Sequence, residues 1–253
     1  MTGTIRTGRP TSGVVNRDII GLTLRATMSR RRALLFALPA IILIFLSALL
    51  KAKAHGQAWP PEVLGTVGYL ILALTALIVG GSVLGAEIDD GSILHLLAMP
   101  VSRRTVVLSK YLVAVVLTIA FAAVPEYIAG AIATGPSSDL AVGLFVGALV
   151  GAVVYNALFV MLTAVFSPGQ ALGIGLLYVL LWEGLLASLV PGVALLSVAH
   201  YSLAVANSIA HNAALHAHLN VGTGIGMGLV VSVASLAFAS VVLSGFSVTG
   251  DVG

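Results

Sequence analysis

The sequence predicts an all-α integral membrane protein, a bundle of six transmembrane helices, from three observations. First, the 253-residue chain is 59% hydrophobic and only 8% charged, against roughly a quarter charged in a soluble domain. Such a chain cannot cover a water-facing surface. Second, its apolar residues fall in six runs, each near the ~20 residues that cross a bilayer at 1.5 Å rise. Third, every Lys and Arg lies at or before Lys110. That placement carries topology rather than a nucleic-acid-binding face. Cysteine is absent, which excludes disulfides and thiolate metal sites.

Residues 1–13, rich in Thr, Gly, Ser, Arg and Pro, read as a disordered tail, and 14–253 as a single transmembrane domain. The first apolar run begins near Ala33, too deep for a cleavable signal peptide. Before it, Val15, Ile19, Leu22 and Ala26 fall at helical spacing, with Asn16, Arg17, Arg25 and Arg30 elsewhere on the wheel. Residues 14–32 therefore predict an amphipathic helix on the membrane surface, its arginines near anionic headgroups.

The spans are expected at 33–50, 67–86, 106–129, 140–166, 170–190 and 221–246. With the N-terminus cytoplasmic, ten of the twelve basic residues lie inside and only Lys51 and Lys53 outside. The positive-inside rule selects that orientation. Six spans return the C-terminus to the cytoplasm, giving a multi-pass protein of the cytoplasmic membrane. Residues 191–220 contain an apolar stretch broken by His200, Asn207 and Ser208. They are expected as short helices dipping into the outer leaflet, with a poor seventh span as the alternative. Gly143, Gly147 and Gly151, and Gly222, Gly224, Gly226 and Gly228, place small residues on helix faces where backbones can approach closely.

The most informative segment is 87–110, EIDDGSILHLLAMPVSRRTVVLSK, which joins the second and third spans on the inner side. Glu87, Asp89 and Asp90 end a membrane helix, and Gly91 permits a sharp turn. Ile93, Leu96 and Leu97 line one face of a short helix that Pro100 stops. Ser102 is an N-cap for the third span. The product is a short amphipathic helix lying across the inner surface, between acidic groups and Arg103 and Arg104, suited to dock in a groove of a cytoplasmic partner.

This segment resembles the permeases of type-2 ABC transporters. They show an acidic residue, Gly-Thr or Gly-Ser, a Leu-Leu pair, a Pro-x-Ser-Arg turn, and a Lys opening the next span. The matching positions are Glu87, Gly91, Ser92, Leu96, Leu97, Pro100, Ser102, Arg103 and Lys110; Ser92 stands where threonine is usual. The resemblance implies that residues 91–99 form a coupling helix contacting an ABC ATPase subunit, and that 14–32 form an elbow helix. It also implies two permeases, a second copy or a related chain, with two ATPase subunits, and export of a substrate that the sequence does not name.

No Gly-x-x-x-x-Gly-Lys-Ser/Thr occurs, and none of Lys51, Lys53 and Lys110 follows a phosphate-cradling loop, so ATP is expected on the partner subunit and no cofactor on this chain. Glu126 and Glu183 are the charged residues deep inside spans. A mid-bilayer charge costs about 2.5–3.5 kcal/mol, so both are expected to face the bundle, either protonated or hydrogen-bonded. They line a substrate vestibule or tie helices together, the latter favoured for Glu183 because Trp182 and Gly184 suggest a packed kink. They also define the rival reading, an ion- or proton-coupled secondary transporter or channel, which would need internal repeats that the sequence does not display. An intramembrane enzyme lacks its motifs, and a scaffold subunit is the third alternative. His211, His216 and His218 have irregular spacing and no nearby carboxylate, so they read as outer-loop residues and not as metal ligands. His95 reads as a surface contact.

Overall fold

The computed structural model describes residues 17–28, 30–53, 61–89, 102–212, 215 and 217–245. Among them there are helices and no strands. A short helix α1 (Arg17–Thr27) leads into α2 (Arg30–Lys53). Then come α3 (Pro61–Asp89), α4 (Arg103–Thr134), α5 (Asp139–Val165) and α6 (Pro168–Leu186). A 3₁₀ turn at Pro191–Leu196 and the 13-residue α7 (Val198–Ala210) precede α8 (Val221–Gly245).

Five of these helices, α3, α4, α5, α6 and α8, are long and apolar enough to cross a membrane. The protein is thus an all-helical, multi-pass membrane protein. The first expected span lies within α2, whose apolar stretch Ala33–Leu49 is shorter than the other five.

Serines set where several helices begin. The Ser102 side chain accepts the Thr105 amide at 3.2 Å, Ser138 accepts Ala141 at 3.1 Å, and Ser197 accepts His200 at 3.3 Å. Each satisfies an amide that the first helical turn would leave bare. Between α4 and α5 the chain turns at Gly135, whose φ of 104° only glycine adopts readily.

α5 is the central post. Leu144, Ala148, Ala152, Tyr155 and Phe159 are buried along it, and α3, α4, α7 and α8 pack around it. Its glycine stripe seats α7. A Cβ on Gly143 would lie 2.6 Å from the Ala206 carbonyl oxygen, and one on Gly151 would lie 2.6 Å from Ser202 Oγ. In α8 the glycines divide. Gly224 and Gly228 face Tyr201 and Val154, whereas Gly226 has nothing within 4 Å of where its Cβ would stand.

The helix ends gather at two levels. At one, a Cβ on Gly85 of α3 would stand 3.2 Å from Pro168 at the start of α6, and Lys110 near the start of α4 reaches Val83 of α3. At the other, the Lys51 ammonium of α2 donates to the Ile132 carbonyl of α4 at 2.5 Å, and Gly143 of α5 meets Ala210 of α7. α1 packs on α4 and α3 at the first level through Ile19, Thr23 and Thr27, which are buried, while Leu22 is exposed. The packing face of α1 is therefore the 19/23/27 stripe. Of the expected face, Ile19 is buried and Leu22 exposed, while Val15 lies outside the described residues.

Candidate functional site

Two regions carry the polar chemistry. The first is the junction of α3 and α4. Ser102 Oγ also lies 2.7 Å from Thr105 Oγ1, fixing the start of α4, with Arg103 half-buried and Arg104 exposed. One turn further on, Lys110 is fully buried and its ammonium donates to the Val83 carbonyl at 2.7 Å. A carbonyl near the C-terminal end of a helix is electron-rich, and a cation there is favourable. Lys110 thereby ties α4 to α3. Glu87 belongs to the last turns of α3, while Gly91, Ser92, His95, Leu96, Leu97 and Pro100 lie outside the described residues.

The second region is a cavity of about 470 Å³. Its back wall is one face of α3, Glu62, Gly65, Thr66, Tyr69, Leu70 and Ala73, residues three or four apart and hence stacked along the helix. Tyr155 of α5, Val179, Glu183 and Gly184 of α6, and Ala199, His200 and Leu203 of α7 form the other walls. Leu215 and His218 close it from the following segment.

Within this region Glu183 is fully engaged. One carboxylate oxygen accepts the Tyr178 hydroxyl at 2.7 Å and the Val198 amide at 2.7 Å; the other accepts the Ser197 hydroxyl and, at 3.4 Å, the Ala199 amide. Val198 and Ala199 open α7, so the carboxylate sits at that helix's positive end. The residue is presented by a nine-residue π-helical turn, Tyr178–Leu186, an irregularity frequent at functional positions. Trp182 closes the same clasp, its indole donating to the Leu196 carbonyl at 3.0 Å.

Glu126 is placed differently. It is buried behind α3, its carboxylate lying over Gly68, and neither oxygen has a hydrogen-bond partner among the described residues. It does not line the cavity. A π-helical turn at Ile119–Ala123 precedes it; the wider turn accommodates Pro125, which has no amide to donate. The structure thus separates the two intramembrane acids, Glu183 joining helices by hydrogen bonds and Glu126 not.

Sequence reasoning missed His200. Its ring stacks on His218 at a centroid distance of 5.2 Å, and its Nδ1 lies 2.9 Å from Ser197 Oγ. Burial, reinforced by His218, lowers its pKa from 6.5 to about 4. Of the other histidines, His211 is exposed and ends α7 in a left-handed conformation, φ 47°, and His216 lies outside the described residues. The Tyr69 and Tyr155 phenols were also missed. The clue was the spacing 62/65/66/69/70/73, which sets small and aromatic residues on one face of a helix.

Among curated proteins none matches the chain. The model of one family, described as the ABC-2 family transporter proteins, matches residues 28–193. The match runs through α2 to α6 and includes the α3–α4 junction and Glu183. Nearly the whole described bundle up to the 3₁₀ turn is thereby accounted for, and the chain belongs to the ABC-2 family of membrane transporter proteins.

Proposed function

We propose that the chain is the membrane-spanning permease subunit of an ATP-driven exporter of the cytoplasmic membrane, working with a separate ABC ATPase subunit that binds the ATP. The family match carries this reading, because it extends across the segment 87–110 that resembles a coupling element. Two arrangements in the fold support it. Lys110 ties the start of α4 to α3 and Ser102 caps that start, so a push on the intervening residues would reach both helices. α1 packs at that same level, where an elbow helix would sit on the inner surface.

In this reading α2 supplies a sixth span, and the N- and C-termini are cytoplasmic. The 3₁₀ turn and α7 are the short outer-leaflet helices before the last span. α6 and α8 expose most of their length, which is suited to lipid or to a second permease, identical or related. The rival, an ion-coupled carrier using Glu126 and Glu183, is weakened because every oxygen of Glu183 already holds donors from its own chain. The deciding experiment is co-expression with candidate ABC ATPases, followed by purification and assay in vesicles. Leu96→Asp with Leu97→Asp should leave insertion intact and uncouple hydrolysis from transport. Normal transport by that variant, or active transport by the chain alone, would overturn the proposal.

A further inference from the structure

The cavity in front of α3 has the features of a ligand site within a single protomer. From Glu62 to Ala73 its back wall runs eleven residues, about 16 Å at 1.5 Å per residue. Glu62 and His218 are exposed at its rim, and Tyr155 is fully buried at the far end. It is therefore an elongated slot. Its volume falls within the range of small-molecule pockets, ~300–1,000 Å³, which carry mostly apolar walls and a few placed polar groups. Leu70, Ala73, Val179, Leu203 and Leu215 supply such walls.

Two observations define what would fill it. The Tyr155 hydroxyl has no hydrogen-bond partner of normal geometry among the described residues although the residue is wholly buried. An under-satisfied phenol oxygen in a dry interior is costly, and an incoming hydrogen-bond donor to its lone pairs would relieve part of that cost. Glu183 is near enough for a hydrogen-bonding contact with the Tyr155 hydroxyl, but its oxygens already accept from four other donors, which leaves the phenol oxygen's lone pairs open to a new donor. The second observation is charge. The described lining holds two carboxylates, Glu62 and Glu183, and no Lys or Arg. His200, held at a pKa of about 4, is neutral at physiological pH. The wall thus disfavours an anion and favours a cation.

We propose that the slot binds a slender hydrophobic amine, with its ammonium group at Tyr155 beside Glu183 and its apolar body along the α3 face toward Glu62. Binding requires neither an ATPase nor a second permease, so it is separable from the exporter reading.

The test is photolabelling of the full chain in phosphatidylcholine nanodiscs by a diazirine-bearing dodecylamine, with modified peptides identified by mass spectrometry. Saturable labelling within residues 62–73 or around Tyr155 is expected, competed by dodecylamine and not by dodecanoate or dodecanol. Tyr155→Phe, which keeps the ring, should weaken binding about tenfold, the loss of one hydrogen bond to a charged group. Ala73→Trp should abolish site labelling by filling the slot. Should that variant misfold, Gly65→Leu serves, because a side chain there would run against Leu215 and Leu203. Labelling that rises linearly with probe and ignores the filling variants would show membrane partition only and overturn the proposal. So would equal competition by dodecanol or dodecanoate, or unchanged affinity in Tyr155→Phe.

Discussion

Glu183 accepts the backbone amide of Val198 at 2.7 Å across fifteen residues of chain, so a carboxylate on α6 caps the helix that follows it. The amides of Val198 and Ala199 would lose this acceptor without it. Glu183→Gln keeps a carbonyl acceptor and should lower stability by about 1 kcal/mol, whereas Glu183→Leu should cost about 3 kcal/mol. Thermal melting followed by size-exclusion chromatography separates the two. Equal melting of both variants would remove the capping role.

Lys110 lies in a fully buried position with its ammonium 2.7 Å from the Val83 carbonyl. Lys110→Met preserves much of the volume and removes the donor. The Val83 carbonyl keeps its helical partner, so the cost is that of one hydrogen bond from a charged donor, about 1.5–3 kcal/mol, and the same loss should loosen the α3–α4 junction. Spin labels on the two helix ends should show a broader distance distribution than in the native chain.

The glycine stripe on α5 offers a paired comparison. Gly143→Ala and Gly151→Ala each force a methyl group against α7 and should cost about 1–3 kcal/mol, the usual range for overpacking. Gly226→Ala meets open space and should be neutral or stabilising by up to about 1 kcal/mol from helix propensity. Melting temperatures of the three variants check the contrast.

His200 gives the fold an acid limit. Its pKa is lowered from 6.5 to about 4, first by burial and then by His218, so the unfolded chain binds its proton more readily than the native one. The stability owed to the neutral ring is complete above pH 6.5 and is lost as pH falls toward about 4. Melting temperature should decline over that window and decline less in His200→Asn, with His218, Glu62, Glu183, Tyr69 and Tyr155 the other titratable groups in the cavity wall.

Much of the architecture could be read from residue order because membrane helices are specified by length and apolarity alone. The α4 and α5 starts follow from Ser102 and Ser138, and the close packing of α5 follows from Gly143, Gly147 and Gly151. The partner of that glycine stripe was not legible. α7 carries His200, Asn207 and Ser208, and nothing local says that its first amides are capped from α6, fifteen residues upstream. Glu183 and Glu126 look alike in sequence, each a lone acid in an apolar run. Only the π-helical turns beside them decide which meets hydrogen-bond donors. His200 and His218 are eighteen positions apart with a loop between, so their stacking is a tertiary event. The α3 stripe was present in the spacing, but an empty slot and a packed face have the same periodicity.

The π-helical turn at Ile119–Ala123 has a consequence for the phase of α4. A single additional residue rotates everything beyond it by about 100° around the axis, relative to an unbroken α-helix. Lys110 at one end and Glu126 beyond the turn are thereby both addressed to α3, the first to Val83 and the second to the notch at Gly68. Removing one residue from this turn would restore a regular spiral, and in doing so swing the acid out of its notch toward the surroundings of the bundle. The widened turn is thus an indexing mark that keeps both ends of one rod in register with the same neighbour.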